Sequence, residues 1–436
     1  MKIISNHIIL ATLLLVSSQA SAQNLLDIYR LALKQDSEYL IAESDFLATS
    51  QAVPIANSAR KPQLSLNAQT TQGQSDTAVL GTNSYDSTGY SLNLTQNLYN
   101  NDTDGLYKVA DASTRAQLAL LQQSRQGLML RVSVTYFDVL AAQDSVEFAL
   151  AERTAIARQL EQAKKRFEVG LIAITDVHEA QARFDSAEAQ VILAKNILEN
   201  AFQALQIIIG EPPSRQLARI GSGLELALPQ PANTQDWVDL AMKNNPALLA
   251  AQANLKAARY ERDRLARANY PSVDLVARYV GEKSNNVVFA AARKSDLSVK
   301  IEMNMPLFTG GRIDAQRGQS ESALQSAKYA IQLQNRLAAQ QTRIAYLGVV
   351  FGISQVNALK QALDSSNIAL EATQAGFEVG TRTSVDVLIS LQETYRAQRD
   401  YASARYDYLI NLLKLRQAAG ILEEANLEGI NRWLTP

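Results

Sequence analysis

The chain has 436 residues, 42 Lys plus Arg against 43 Asp plus Glu, two His and no Cys, with 47% hydrophobic and 19% charged residues. Near-neutral charge excludes a polyanion-binding surface, because nucleic-acid binding needs a surplus of Lys and Arg to displace phosphate counterions. The lack of Cys removes disulfides, thiolate metal sites, Cys nucleophiles and thioether lipid anchors together.

Residues 1–22 read as a secretory signal peptide, with Lys2 at the start, an apolar stretch from Ile8 to Val16, and Ala20-Ser21-Ala22 as a small-x-small cleavage site. The apolar stretch is too short to span a bilayer as a helix. Cleavage near Gln23 removes His7 and leaves His178 alone, so neither a metal centre nor a cofactor is expected. No later apolar run reaches the length of a membrane helix, so contact with a membrane would be made by β-strands or at the surface.

A first helix is expected from Gln23 to Ala59, then strands near 62–100. Leu64-Ser-Leu66 and the stretch Tyr90, Leu92, Leu94, Leu98, alternating with Ser91, Asn93, Thr95 and Asn97, have period two. From about Asp104 to Val169 runs a helix of roughly 98 Å at 1.5 Å per residue. It carries two heptad rows, Leu118, Arg125, Val132, Val139, Val146, Arg153, Leu160, Phe167 and Leu121, Leu128, Thr135, Ala142, Ala149, Ile156, Ala163. A turn at Gly170 and a returning helix from about Asp176, with Val177, Phe184, Val191, Leu198 and Leu205 in its seam, complete a coiled-coil hairpin.

The pattern is then written again. Asp27-Ile-Tyr-Arg-Leu-Ala-Leu-Lys34 returns as Asp236-Trp-Val-Asp-Leu-Ala-Met-Lys243, and Phe167-Glu-Val-Gly170 as Phe377-Glu-Val-Gly380. The chain divides into repeats at 23–235 and 236–436, the second with strands near 271–308, a hairpin at Gly380 and the seam Val387, Thr394, Tyr401, Tyr408, Leu415. Prolines are absent from 63–211 and from 307–435, which permits uninterrupted helices. In the second repeat Leu297, Val299, Ile301, Met303, Met305 and Leu307 share one face, and Val273 to Tyr279 forms the partner strand.

Four strands of about ten residues, apolar on one face and polar on the other, fit a transmembrane barrel or a soluble antiparallel sheet. The signal peptide and the polar segments Ser75–Ser87 and Lys283–Ser295, expected as loops, favour the barrel. Four strands cannot close, so several copies must contribute.

Sites of chemistry are sparse. Asn100 to Asp111 imitates a calcium loop, but starts with Asn, ends with Asp and falls where a strand hands over to a helix, so capping is the expected role. Gly221-Ser-Gly223 and Gly310-Gly311 lack the context of a phosphate loop. No nucleophile and base arrangement is present, and no catalytic residue is expected. Asp176 and Asp386 follow the two hairpin turns, where a cap and a functional role are both open. Arg382 has Ile172 as its repeat partner, a difference that a structural need common to both halves does not explain.

The segments 167–177 (Phe-Glu-Val-Gly-Leu-Ile-Ala-Ile-Thr-Asp-Val), 379–388 (Val-Gly-Thr-Arg-Thr-Ser-Val-Asp-Val-Leu) and Ala404-Arg-Tyr-Asp-Tyr-Leu-Ile-Asn411 resemble the TolC family of outer-membrane exit ducts, in order and including the duplication. The resemblance implies an α+β homotrimer, with a 12-stranded outer-membrane β-barrel continued into the periplasm as an α-helical coiled-coil barrel. An equatorial domain would be formed by Gly210–Gln235 and the C-terminal tail. Implied partners are outer-membrane lipid, a periplasmic adaptor and an inner-membrane transporter, serving multidrug efflux or type I secretion.

By motif, the resemblance implies a gate latch joining Arg382 to Thr175 and Asp176. Phe377 stands at a latch position that the family fills with Tyr, and it has no hydroxyl to donate. Of two Asp rings at the pore constriction, the first falls on Asp386 and the second on Ile389, which implies weakened cation selectivity. Val169-Gly170-Leu171 and Val379-Gly380-Thr381 match the adaptor-docking turns. The competing class is a periplasmic coiled-coil structural or adhesin-like protein without a channel.

Overall fold

The computed structural model describes residues 22–77, 81–221, 223–286 and 292–435. The body of the expected signal peptide, Ser222 of the Gly-Ser-Gly turn and the tips of both strand hairpins lie outside the described residues.

The first half contains α1 (Leu25–Gln35), α2 (Ser37–Ser50), α3 (Ala52–Ser58), β1 (Gln63–Thr77), β2 (Gly81–Tyr99), α4 (Asn101–Glu168), α5 (Ile174–Ile209) and the short β3 (Arg219–Ile220). The second contains α6 (Thr234–Asn244), α7 (Pro246–Ala266), β4 (Ser272–Asn286), β5 (Ala292–Asn304), α8 (Arg312–Glu378), α9 (Ser384–Ala418), α10 (Glu424–Asn431) and β6 (Leu434–Thr435).

The four long strands form one antiparallel sheet in the order β1-β2-β4-β5. Its register aligns apolar residues across all four: Leu66 faces Leu92, Leu92 faces Tyr279, and Tyr279 faces Leu297. One step along, Ser65, Asn93, Arg278 and Ser298 line up on the other face. Among the described residues the apolar face has no cover: Leu297, Val299, Ile301 and Met303 are between 66% and 71% exposed. A water-soluble sheet would bury that band.

The strands are longer than the sequence suggests, at 15, 19, 15 and 13 residues instead of about ten. Much of Ser75–Ser87 and Lys283–Ser295, expected as loop, is strand, with Asp76 opposite Thr82 and Lys283 opposite Arg293. Backbone ladder bonds need no apolar side chain. Fifteen residues at about 3.3 Å each exceed a hydrocarbon layer of roughly 30 Å, so the outer parts of the strands lose the apolar signature without losing their pairing.

Below the sheet, α4 and α8 run 68 and 67 residues, about 100 Å each at 1.5 Å per residue. Asn100 caps α4, its Oδ1 accepting from the Asp102 amide at 2.9 Å, which gives the calcium-like stretch its role. The heptad rows are largely buried, including Val132, Val139, Ala142, Ala149, Ile156, Leu160 and Ala163; Leu118 and Phe167, near the two ends, are exposed.

The helix expected over Gln23–Ala59 is three helices. Asp36 divides the first two: its N–H donates to Ala32 O at 2.8 Å, ending α1, and its Oδ1 accepts from the Tyr39 amide at 2.7 Å, starting α2. Arg131 from α4 also donates to that oxygen at 2.7 Å. Asn245 makes the same break between α6 and α7, followed by Pro246 at the helix start. A side chain that satisfies the freed amides favours capping over helix continuation.

The main core gathers at this level. Tyr29, Tyr136, Phe137, Leu140, Leu205, Tyr408 and Leu413 are buried there with Trp237 and with Leu427 and Ile430 of α10. Tyr136 and Tyr408 donate to Ala218 O at 2.7 Å and Ala227 O at 3.0 Å, tying the segment before α6 to the helices. β3 pairs with β6, so this segment and the C-terminal tail fold together against the mid-length of the long helices.

Candidate functional site

The ends of α4 and α8 farthest from the sheet turn at Gly170 and Gly380, whose φ values are +76° and +80°. Glycine is needed there because a Cβ is penalised in the left-handed region. Around them Val169, Leu171 and Val379 are at least 70% exposed, and Thr381 is exposed. The six residues of Val169-Gly170-Leu171 and Val379-Gly380-Thr381 thus form two protruding, mainly apolar tips.

The two turns share one backbone closure, with Gly380 N–H donating to Phe377 O at 3.2 Å as Gly170 N–H does to Phe167 O, and the second adds bonds to it. In the first, Gly170 N–H donates to Phe167 O at 2.8 Å and Leu171 N–H to Arg166 O at 2.9 Å. In the second, Gly376 O accepts from Thr381 N–H at 2.8 Å, Arg382 N–H at 3.2 Å and the Thr381 hydroxyl at 3.0 Å. Gly376 occupies the repeat position of Arg166, and its missing side chain leaves room for Arg382 to lie against the end of α8.

The returning helices start differently. Thr383 and Asp386 form a capping box on α9: Asp386 Oδ2 accepts from the Thr383 amide and hydroxyl, each at 2.9 Å, and Thr383 Oγ1 accepts from the Asp386 amide at 3.2 Å. These bonds, the backbone one foremost, hold the Asp386 carboxyl below the ordinary range, and the charge of Arg382 adds to the effect. On α5 the N-cap is Ala173, which offers no side-chain cap. Thr175 and Asp176 lie in that first turn, where the Asp176 charge complements the helix N-terminus.

Among the described residues of one chain, no hydrogen bond or ion pair joins Arg382 to Thr175 or Asp176; Arg382 sits instead against its own helix end and beside Asp386. Phe377 is only 8% exposed, and the Arg166 guanidinium lies over its ring at 4.2 Å from the centroid. Sequence reasoning did not identify Arg166. The available signal was its mismatch with Gly376, of the same kind as the mismatch between Arg382 and Ile172.

Behind the tips, Leu388 and Leu391 of α9 pack among Ile156, Leu160 and Ala163 of α4 and Val177, Ala180 and Ala187 of α5, with Ile172 at the margin. Ile389, beside them in sequence, is 44% exposed and points away from this cluster. Farther up, Arg183 donates to Gln392 Oε1 at 3.1 Å, and Arg399 pairs with the buried Glu152 at 3.0 Å. The two hairpins of one chain therefore meet along a continuous seam. Among the described residues no group of three or more His, Asp or Glu is placed to hold a metal.

The sequence profile described as outer membrane efflux protein matches residues 28–211 and again 237–421. The chain is similar to the outer membrane protein TolC of Vibrio cholerae serotype O1, at 36% identity over 422 residues that cover 96% of this chain and 95% of that protein. It is also similar to the alkaline protease secretion protein AprF of Pseudomonas aeruginosa, at 30% identity over 426 residues covering 96% and 89% of the two chains. Among solved structures, the fold matches the CmeC outer membrane channel of Campylobacter jejuni with a TM-score of 0.80 at 16% identity, over 94% of this chain and 89% of that one.

Proposed function

We propose a function from one premise: the chain belongs to the outer membrane efflux protein family. It is an outer-membrane exit duct that extends into the periplasm.

Our reading of its working form is a homotrimer. The observation that carries assembly is the sheet, whose apolar face is uncovered and whose strands β1 and β5 each leave one edge unpaired among the described residues; the number three is what the TolC-family resemblance implies. Unsatisfied backbone groups cost several kcal/mol each in lipid, so the edges must be paired between copies. Three chains give twelve strands and twelve helical columns, a barrel and a tunnel on one axis. Residues 1–22 act as the signal peptide, and 23–235 and 236–436 as the two structural repeats.

The duct is passive and has no catalytic role. A periplasmic adaptor docks at Val169-Gly170-Leu171 and Val379-Gly380-Thr381, whose apolar tips protrude, and an inner-membrane transporter supplies energy and substrate choice. Arg382 latches the closed end by reaching Asp176 and Thr175 of a neighbouring copy. That location accords with the lack of such a bond inside one chain. Asp386 lines the constriction and Ile389 replaces a second acidic ring. The similarity to a protease secretion protein favours protein export beside efflux of small molecules.

Native mass in detergent should be three times the chain mass, and the purified assembly should conduct ions in a planar bilayer. A stable monomer that inserts and conducts would overturn the trimer, and an assembly that never conducts would return the chain to the structural coiled-coil class.

A further inference from the structure

We propose that Arg166, through its contact with the ring of Phe377, is the in-chain clamp of the closed end, separate from the between-chain latch at Arg382. The inference rests on the trimeric duct reading.

The geometry at Phe377 favours a clamp over incidental packing. The guanidinium stands 4.2 Å from the ring centroid, and the ring is 8% exposed although it lies within four residues of the turn at Gly380. Arg166 is on the last turn of α4 and Phe377 on the last turn of α8, so the contact joins the tips of the two hairpins. A guanidinium over a partly desolvated aromatic face is attractive, and its planar fork suits stacking better than a Lys ammonium does.

The internal repeat explains why this clamp belongs to one seam only. In a ring of alternating first-repeat and second-repeat hairpins, every seam inside a chain has a counterpart between chains, with each residue replaced by its repeat partner. Arg166 becomes Gly376 and Phe377 becomes Phe167. Gly376 has no side chain, so the between-chain seam has no such clamp, and Phe167 is 41% exposed in the single chain. The reverse substitution holds for the latch: Arg382 has Ile172 as its partner, and Ile172 packs against the in-chain apolar cluster. Each seam carries one arginine at the tip, at different positions. Three seams close through Arg166 and Phe377, and the other three through Arg382.

Two separate closures predict a pattern of coupling. Purified trimers of Arg166→Gln and of Phe377→Leu should each conduct at least about twofold more than wild type in planar bilayers, and R166Q/F377L should conduct no more than the larger single change. R166Q/R382S should approach the product of the two single effects, because different seams are released. Arg166→Lys, which keeps a cation over the ring, should stay nearer wild type. A second readout needs no conduction. The chain has no Cys, so Leu388→Cys places a single thiol in the in-chain seam at a position 0% exposed. An impermeant maleimide should label it faster in the R166Q background and no faster with R382S alone. If R382S raises conductance while R166Q leaves both conductance and labelling at wild-type values, the clamp is overturned. If neither R382S nor any other variant conducts, the duct reading fails, and unchanged labelling in R166Q then overturns the clamp independently.

Discussion

Arg382 lies against Gly376 so closely that its Cγ stands 2.8 Å from where a Cβ on that glycine would be. The glycine is helical and has an ordinary φ, so its role is to provide room, not to permit an unusual backbone. Gly376→Ala gains roughly 1 kcal/mol of helix propensity but forces Arg382 to move from its base. We expect raised single-channel conductance, as for Arg382→Ser, and no further increase in the double variant. Wild-type conductance in G376A would mean that Arg382 works from another position.

Asp386 has a structural role and a proposed pore role, and one substitution separates them. Asp386→Asn keeps an acceptor for the Thr383 amide while removing the charge. Helix content and trimer yield should stay near wild type, and the reversal potential under a salt gradient should shift toward lower cation preference. Because its folded pKa is depressed, the stabilisation from the ionised carboxyl is present above the unfolded value and is lost as pH falls through the folded one. An unchanged reversal potential would leave Asp386 as a cap alone.

At the tips, Gly170→Val and Gly380→Val place a β-branched residue where φ is near +80°, at a cost of about 1–2 kcal/mol each. Open space surrounds both glycines within the chain, so trimers should form. Export should fail through lost adaptor contact, measured as secretion or drug resistance in cells with normal trimer levels. Full export in both variants would move the docking surface elsewhere.

Glu152 is nearly buried and Arg399 is one-third exposed, so their ion pair is intermediate between surface and core. Glu152→Ala leaves Arg399 without its partner and should destabilise by about 1–3 kcal/mol, a value reduced from that of a fully buried pair for solvent screening. Replacing both by Met should restore most of the loss. Thermal melts in detergent decide, and an unshifted single variant would make the pair incidental.

Asp144 responds to pH in the opposite sense to Asp386. Burial raises its carboxyl above the ordinary range, although the hydrogen bond from the Tyr406 hydroxyl at 2.6 Å and the charge of Arg219 oppose the shift. Folding therefore favours the protonated form: the stabilisation is full below the unfolded pKa and is lost as pH rises through the folded value. Asp144→Asn should flatten the stability profile above the ordinary carboxylate range and raise the melting temperature more at neutral than at acid pH. A parallel profile would show that the carboxyl does not titrate in that window.

What the sequence made legible follows from periodicity. Rows such as Val132, Val139 and Leu160 announce a seam because burial repeats every seven residues, and Leu297 to Met303 announce a strand because it repeats every two. Breaks were less legible. Asp36 interrupts the first helix through hydrogen bonds to Tyr39 and Arg131, partners that a linear pattern does not place. The polar reaches of the strands were missed because their pairing is made by backbone. At the site, comparison of repeat positions isolated Arg382, but Arg166 needed the same comparison and a ring to stand over, and only the packed hairpins supply the ring.

The order β1-β2-β4-β5 has an even number of antiparallel strands, so its two edges run in opposite directions. Any copy can then join the next edge to edge in the favoured antiparallel sense, and neither four nor five copies would create a directional mismatch. The sheet enforces closure but is indifferent to how many members close it. Copy number must be set below the membrane, where the angle between neighbouring helices fixes how sharply the wall bends. Substitutions at the sides of those helices, far from any strand, are therefore the ones able to change the diameter of the pore in the outer membrane.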